Sequence, residues 1–467
     1  MVLAAASMAV ILLIAFRMSH TVIQIAAFFM ACLVILAMWY VKDTLPQQVL
    51  PLLVVDGFGA LFTGMIIFSM MAVGLFSYIY FEEREENPKE YYILLFLATL
   101  GAAILTISIH FISFFIGLEI LSVSLYALIA YLRNRNHAVE SGMKYLMLAA
   151  VSSAFLLFGM ALIYMETGSM EFAAIAQSVE KSSSSVLFMM GFGIMLVAIG
   201  FKLALAPFHL WAADVYQGAP SPVTAFIATV SKIGVFAVLL RFAQSVNLQQ
   251  YPLMMSTFSI IAIASMIVGN LLALRQQNIK RLMGYSSIAH FGYLLVAFFL
   301  FNTAGVEAAA FYLIAYSITL LAVFGVISVL STRMKDAENL AMYKGLFYKR
   351  PILSAVLIIS FLSLAGIPLT AGFIAKFFVL ASGVHQHLWL PVIVLVITSV
   401  IGLYYYLRVI STLFAATPST GSVPKTLHPF FYITTYITLI IMMIVLCWLG
   451  IFPDSTVEGI RAFLLIR

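Results

Sequence analysis

The chain has 467 residues, of which 64% are hydrophobic and 9% are charged, and its mean hydropathy is +1.11. This composition supplies too few polar side chains to cover a soluble globule, so soluble enzymes and soluble binding domains are excluded. The formal net charge of +6 therefore indicates a charge bias between the loops of a membrane protein. We expect contact with the lipid bilayer and no nucleic-acid partner.

Fourteen apolar runs predict an all-α polytopic membrane protein. At about 20 apolar residues per spanning helix, they leave no room for a sizeable soluble domain. The first run is short and has no charged residue before it, which is compatible with a truncated helix. The runs, called spans 1 to 14, lie near residues 1–16, 20–41, 58–81, 91–109, 111–131, 138–165, 186–213, 222–241, 252–274, 282–301, 305–330, 351–380, 388–413 and 427–452.

The lysine and arginine residues of the loops predict the orientation of the chain. Of the 24 Lys and Arg residues, 15 lie in loops on one side of the predicted membrane and five lie on the other. Loops rich in positive charge face the cytoplasm. Both termini are therefore expected outside.

The two cysteines and two polar stretches have simple explanations. Cys32 and Cys447 each lie inside an apolar run, so we expect packing and no iron–sulfur or zinc site. The serine run Ser182–Ser185 and the acidic stretch Glu82–Glu86 lack helical apolar periodicity. Both are predicted to be loops.

Five charged residues lie inside the spans, where a charge costs about 2.5 to 3.5 kcal/mol. They are Glu119, Lys144, Lys202, Lys232 and Lys376. One carboxylate cannot neutralise four lysines by one-to-one pairing, so some lysines must lie in wet cavities or lose their protons. Because burial favours the neutral form of a lysine, a row of such groups predicts a proton path.

The alternative interpretation is that these charges only form internal ion pairs that fix the packing of the helices. For Lys144 a partner is close, since Glu140 lies one helical turn away. Glu119 is expected to pair with one of the lysines, with Lys202 as the first candidate, and to control its proton affinity.

Two prolines predict broken helices. Pro207 in span 7 follows Lys202 by five residues, and Pro368 in span 12 precedes Lys376 by eight. A proline inside a span frees a backbone carbonyl, which the membrane tolerates only beside protein or a wet cavity. Spans five apart cross the membrane in opposite directions, as inverted-repeat transporters require. The predicted organisation is an N-terminal segment (residues 1–90), two five-helix repeats (residues 91–241 and 252–413) and a C-terminal segment (residues 414–467).

Two histidines are secondary candidates for the path. His209 follows the break at Pro207, and His290 lies in span 10. Histidine titrates near neutral pH, so either can join a relay, and either can instead bind a freed carbonyl. Together with His110 they could ligate haem, but two of the three adjoin loops or breaks, so no haem is expected.

A tyrosine run near the cytoplasmic end of span 13 has a different explanation. It comprises Tyr404, Tyr405 and Tyr406, and Arg408 follows. Aromatic side chains are enriched where lipid meets water, and arginine extends its charged end toward water. The run is interpreted as an aromatic belt.

Six motifs together resemble subunit N of bacterial NADH:quinone oxidoreductase (respiratory complex I), one of the antiporter-like membrane subunits. The broken-helix motifs resemble this whole group, and only the combination favours subunit N. The motifs are VDGF at Val55 to Phe58, LEILSVSLY around Glu119, KLALAPFHLWAADVYQGAP from Lys202, NIKRLMGYSSIAHFGYL from Asn278, SLAGIPLTAGFIAKF from Ser363 and GLYYYLR from Gly402.

The resemblance implies fourteen helices in two inverted bundles, with a proton half-channel in each and a polar axis joining them. It assigns relay roles to Glu119, Lys202, Lys232 and Lys376, and Lys144 matches a further family lysine. The family commonly has Pro-Asp where this chain has Ala213 followed by Asp214, a change expected to alter only a loop.

The resemblance also places the redox chemistry in other chains. NADH, FMN, iron–sulfur clusters and quinone are expected in partner subunits, and no cofactor or metal is expected here. The expected partners are other membrane subunits of complex I and, through them, its peripheral arm, in the bacterial inner membrane. Two alternatives stay open: a subunit of a multisubunit cation/proton antiporter or hydrogenase-type complex, and a structural membrane scaffold.

Overall fold

The structure is a computed structural model that describes residues 1–82, 84, 88–181, 186–299, 303–332, 336–415 and 429–465. Within these residues the chain forms twenty α-helices and a short antiparallel hairpin of β1 (Gln47–Val49) and β2 (Leu53–Val55). The helices are α1 (Val2–Ala15), α2 (His20–Val41), α3 (Gly57–Glu82), α4 (Glu90–Ile107), α5 (Phe111–Ile129), α6 (Asn136–Thr167), α7 (Phe172–Lys181), α8 (Val186–Leu203), α9 (Leu210–Gly218), α10 (Ser221–Phe226), α11 (Lys232–Val246), α12 (Pro252–Leu274), α13 (Ile279–Phe298), α14 (Thr303–Leu330), α15 (Leu346–Lys349), α16 (Pro351–Ala365), α17 (Ala371–His385), α18 (Trp389–Leu413), α19 (Pro429–Ile451) and α20 (Asp454–Leu464).

These helices reproduce the fourteen predicted spans and confirm the all-α polytopic fold. Among the described residues, eleven helical segments are long and apolar enough to cross a membrane. The other three spans are span 1 (α1), span 10 (α13) and span 12 (α16 with α17). The 14 residues of α1 rise about 21 Å, which is less than the ~30 Å of a bilayer core.

Both predicted helix breaks are present. In span 7 the helix ends at Leu203, and the next residue, Ala204, has a φ of 59° in the left-handed region, which a right-handed helix cannot include. In span 12 the helix ends at Ala365, and Gly366 has a φ of 81°, a conformation that glycine adopts without a steric penalty. The pairing of 91–241 with 252–413 as inverted repeats stays a prediction.

Three spans form the interior of the bundle: span 8, span 10 (α13) and span 11 (α14). Span 8 runs from Ser221 to Val246 and is buried throughout its apolar window, and α14 is almost as completely enclosed. Span 8 is continuous except for a π turn at Ile227–Ser231, after which α11 begins at Lys232. A lysine on such a helix cannot reach lipid or water without leaving the protein interior.

A buried carboxylate organises the loops on the side predicted to be cytoplasmic. Asp336 accepts hydrogen bonds from Tyr80 (2.7 Å) and Arg135 (2.9 Å) and forms an ion pair with Lys280 at 3.3 Å and with Arg84 at 3.8 Å. Burial opposes ionisation of Asp336, but the positive charges of Lys280, Arg135 and Arg84 outweigh it and lower its pKa to about 2. Four separate chain segments are thereby joined at one point.

A second ion pair lies at the opposite ends of the helices. Arg241 of α11 donates to both carboxylate oxygens of Asp56, each at 2.8 Å, and also to the carbonyl of Thr106 at the end of α4. Asp56 in turn accepts from the amide of Gly59 in the first turn of α3. Asp56 of the VDGF motif and Arg241 therefore link α3, α4 and α11.

The two stretches predicted as loops are only partly described. Ser182–Ser185 lies outside the described residues, as do residues 83 and 85–86 of the acidic stretch. Glu82 is helical, because α3 extends to it, so the prediction was wrong for this residue. The orientation of the termini stays a prediction.

Replacing Asp336 with asparagine should destabilise the protein by about 3 to 5 kcal/mol, because Lys280 would keep a buried charge without a counterion. The ionised carboxylate stabilises the fold above the ordinary aspartate pKa of about 4, and this contribution should be lost as pH falls from there to about 2. Thermal unfolding in detergent measures both effects. Asp43→Asn, at an exposed aspartate, is the matched control, and equal melting temperatures for the two variants would contradict the argument.

Candidate functional site

Lys202 lies at the end of α8, directly before the first break. It is 2% exposed, and its Nζ donates to Ser122 Oγ of α5 at 2.7 Å. The same Nζ lies 5.2 Å from the ring centroid of Tyr145, a geometry in which the ring face attracts a cation. The ammonium group is therefore surrounded by neutral polar and aromatic partners.

Glu119 lies near Lys202 but does not form an ion pair with it. The carboxylate accepts a hydrogen bond of 2.5 Å from Ser153 of α6, while Lys202 binds Ser122, three residues after Glu119 on α5. The expected ion pair is absent, because each charged group has a serine partner, and the expected control of the proton affinity of Lys202 by Glu119 stays a prediction.

Lys232 begins α11 and is 1% exposed. Its Nζ donates to Ser287 Oγ of α13 at 2.6 Å, and Tyr316 of α14 donates to the same oxygen at 2.6 Å. A serine hydroxyl has two lone pairs and one proton, so both lone pairs are used. Ser287 therefore connects the ammonium to the tyrosine hydroxyl.

His290 lies one turn beyond Ser287 on α13, inside the bundle. Its Nδ1 is 2.7 Å from the hydroxyl of Tyr312, and its Nε2 is 3.1 Å from that of Tyr406. The Tyr406 hydroxyl also contacts Ser286 Oγ at 2.5 Å. The imidazole therefore has a hydrogen-bond partner at both nitrogens.

Lys376 lies in the first turns of α17, after the second break, and is 8% exposed. Its Nζ donates to the carbonyl oxygens of Leu364 at 2.8 Å and Ala365 at 3.0 Å. These are the last two residues of α16, whose carbonyls lack helical donors because the helix ends there. The break thus supplies the acceptors for the lysine, as the position of Pro368 suggested.

A small cavity joins His290 to Lys376. Its volume is about 10 Å³, and Tyr312, Tyr316 and Ser363 also line it. A volume of about 10 to 15 Å³ is the minimum that holds a single water molecule. Polar groups therefore follow one another from Lys232 through Ser287 and Tyr316 to the cavity and Lys376.

Lys144 is separate from this buried set. Its Nζ forms ion pairs with Glu140 at 2.7 Å and Asp214 at 3.2 Å, and its side chain is 46% exposed. The ion pair with Glu140, which was the alternative interpretation for Lys144, is therefore present, and this lysine is not buried as the other three are. Asp214 and the preceding Ala213 lie within α9, so the departure from Pro-Asp does not fall in a loop.

His209 lies in the break of span 7, directly before α9, and is buried. Its Nδ1 has no hydrogen-bond partner among the described residues. No hydrogen bond joins it there to Lys202 or Lys232, whose partners are Ser122 and Ser287. The structure does not bring this secondary candidate into the connected polar groups.

The aromatic-belt interpretation was wrong for two of the three tyrosines. Tyr405 and Tyr406 are buried, and Tyr405 donates to Asn270 at 3.1 Å. Tyr404 is 63% exposed, since successive residues of a helix point about 100° apart. Arg408 donates to the carbonyls at the end of α12 and in the following loop, so it binds protein as well.

Several functional hydroxyls were missed by sequence reasoning. A serine or tyrosine inside an apolar span carries no charge and is not unusual by itself. A usable signal exists at Tyr312 and Tyr316, which are four residues apart and therefore share a helix face. Ser286 and Ser287 lie four and three residues before His290, and Ser122 lies three after Glu119, so proximity to a charged or titratable residue could have identified them.

Comparisons with known proteins agree with this architecture. The model of the family described as NADH:quinone oxidoreductase/Mrp antiporter, transmembrane, matches residues 108–402. A chain of respiratory complex I from Thermus thermophilus with bound aureothin is 31% identical, with a TM-score of 0.84 and 98% of each chain covered. A chain of the membrane-bound sulfane sulfur reductase, an archaeal respiratory membrane complex, is 25% identical, with a TM-score of 0.87 over 98% of this chain and 95% of that chain.

A chain of the Mrp complex from Dietzia sp. DQ12-45-1b is similar in fold. It is 20% identical, with a TM-score of 0.84, and the match covers 99% of this chain and 95% of that chain. At this identity the likeness concerns the fold alone. The three complexes named here are all multisubunit membrane assemblies, so chains of this fold work beside other membrane subunits.

Tyr406→Phe should lower the free energy of unfolding by about 1 to 3 kcal/mol, because His290 and Ser286 would each lose a buried partner. Thermal unfolding in detergent measures the change. Tyr404→Phe removes the same atom from an exposed neighbour and should leave the melting temperature unchanged. Equal effects of the two substitutions would show that the hydroxyl of Tyr406 contributes nothing.

Proposed function

Because the chain belongs to the family of transmembrane subunits shared by NADH:quinone oxidoreductases and Mrp antiporters, we propose that it translocates protons as a subunit of respiratory complex I, corresponding to subunit N. One observation carries this proposal. Lys202, Lys232 and Lys376 are at least nine-tenths buried, and each has only hydroxyl or carbonyl oxygens as hydrogen-bond acceptors among the described residues.

Such lysines are suited to proton exchange. A buried ammonium ion without a carboxylate beside it is costly, whereas a neutral amine is tolerated. Hydroxyl groups can accept one proton and release another, and imidazole does the same through its two nitrogens. The partners of the lysines and of His290 are therefore groups that pass protons on.

The contacts support a specific order of transfer in the second half of the chain. The transfer requires the hydroxyl of Tyr316 to turn from Ser287 toward the 10 Å³ cavity. Ser287 then takes a proton from Lys232 and gives its own proton to Tyr316, which gives its hydroxyl proton to a water molecule in the cavity. The proton then reaches Lys376, from which it leaves toward the outer face. His290 borders the same cavity and provides a second acceptor between the two lysines.

Residues in the first half of the chain control the release of the proton. In this proposal the carboxylate of Glu119, one helical turn before the serine that binds Lys202, stabilises a positive charge on that lysine. A displacement of Glu119, caused by a neighbouring membrane subunit, releases the proton of Lys202 toward Lys232. NADH, FMN, iron–sulfur clusters and quinone belong to the partner subunits in this proposal, and the free energy arrives through them. In this proposal the protein lies in the bacterial inner membrane, with both termini outside.

A second candidate is a subunit of a cation/proton antiporter or of a hydrogenase-type membrane complex. The match to the sulfane sulfur reductase complex, with a TM-score of 0.87, favours it. The higher sequence identity to the chain of complex I favours the first proposal. The chains that co-purify in mild detergent distinguish the two: NADH-oxidising subunits support complex I, and sodium-dependent transport by the purified assembly without them supports the antiporter.

Lys202→Met should lower proton pumping by about tenfold or more while the complex still assembles, because a positioned proton-transfer group contributes roughly 10²- to 10⁴-fold. Pumping by inverted membrane vesicles, normalised to the amount of complex, measures this. Lys144→Met is the control, since that side chain is exposed and paired at the surface. A loss of complex in proportion to pumping would make Lys202 a structural residue and favour the scaffold alternative.

Lys376→Arg should also abolish coupled pumping, although the positive charge is retained. Arginine stays protonated at every physiological pH, with a pKa above about 12, so it can hold the carbonyls of Leu364 and Ala365 but cannot release a proton. The same vesicle assay applies, with complex content measured by immunoblot. Pumping at the wild-type rate would remove Lys376 from the relay.

A further inference from the structure

An apolar groove opens on the outer surface of the helix bundle. Its volume is about 540 Å³, and it is bordered by α2, α3, α14 and α19, with Phe463 of α20 at one end. Ligand pockets commonly measure about 300 to 1,000 Å³. The groove is separate from the buried lysines, because none of them lines it.

The groove occupies one half of the membrane. Its lining on α3 extends from Ala60 to Ser69, whereas the helix continues to Glu82. Nine residues of helix rise about 13 Å, close to the ~15 Å of one leaflet of the apolar core. A spanning helix of a partner needs ~30 Å of contact. The length of the groove therefore matches that of an acyl chain in one leaflet.

The mouth of the groove carries a positive charge. Lys42 lines this end, and its Nζ lies 3.7 Å from the ring centroid of Trp39. Among the described residues, Lys42 forms no ion pair, and Trp39 and Tyr40 are exposed. Tryptophan and tyrosine are typical of the level of lipid headgroups. A cation at this level is complementary to a phosphate.

We propose that this groove is a binding site for an anionic phospholipid. One acyl chain lies between α3 and α19, and the headgroup phosphate binds Lys42 beside the ring of Trp39. A zwitterionic lipid binds more weakly, since its own cationic group is repelled by Lys42. The site is independent of proton transfer, so it stands whether or not the proposed function is correct.

Gly64 allows a direct test of the acyl-chain position. It lines the groove, and a Cβ added there meets no atom within 4 Å. A side chain at this position would therefore begin in open space, and we expect a leucine there to fill part of the groove. A Cβ added at Gly193 of α8 also meets no atom within 4 Å. Gly193 is exposed and lies outside the groove, so Gly193→Leu is the control.

Native mass spectrometry of the purified complex, titrated with phosphatidylglycerol or phosphatidylcholine, measures occupancy. Gly64→Leu should weaken phosphatidylglycerol binding by about tenfold, as expected for the loss of a few buried methylene contacts. Lys42→Gln should weaken it by about fivefold and remove the preference over phosphatidylcholine. Gly193→Leu should bind as the wild type does.

Equal occupancy in Gly64→Leu and the wild type would overturn the proposal, as would equal binding of the two lipids by the wild type. Phe68 lines the groove at the end away from Lys42. A photo-crosslinking amino acid in its place shows whether the groove holds a phospholipid or another protein chain. Capture of phospholipid is expected. Capture of another protein chain would assign the groove to a partner subunit and contradict lipid binding.

Discussion

Three ammonium groups that are buried and form no ion pair among the described residues impose the main constraint on this molecule. Lys202, Lys232 and Lys376 each need hydrogen-bond acceptors close to the ammonium group, because a cation in an apolar interior without such partners is unstable. The protein meets this demand with serine hydroxyls for the first two lysines and with open helix carbonyls for the third. The helix break in span 12 is essential for Lys376, since an unbroken helix offers no free carbonyl at that position.

The polar groups come from a few interior helices, and the surrounding spans keep lipid away from them. α13 contributes Ser286, Ser287 and His290 within five residues, and α14 contributes Tyr312 and Tyr316 on one face. Because these helices are enclosed on all sides, each polar side chain finds its partner on another helix. The contacts that pack these helices against each other are therefore the same contacts that connect their polar side chains.

Much of the fold could be predicted from the sequence, because its determinants are strong and local. Apolar length defines the spans, proline defines the breaks at Pro207 and Pro368, and the cost of a charge in lipid singles out the lysines. The rotation of each helix could not be predicted in this way. When a helix is apolar on all sides, periodicity does not show which face is interior, so Tyr405 and Tyr406 were assigned to the membrane surface.

The sequence identified the residues of the site but did not identify their hydrogen-bond partners. Lys202 and Glu119 were expected to pair because their charges are opposite, yet each meets a serine instead. Lys144 was grouped with the other lysines by its place within an apolar run. Its exposure depends on how α6 and α9 pack near Asp214, and that contact joins residues 70 positions apart.

The hydrogen bonds of Arg241 to Asp56 and Thr106 limit how Lys232 can move. Lys232 lies nine residues before Arg241 on the same uninterrupted helix, a rise of about 13 Å. With that end tied to α3 and α4, the helix cannot slide like a piston along the membrane normal. Lys232 therefore keeps a constant depth, and any switching at this lysine must come from small rotations of side chains that exchange one hydrogen-bond partner for another.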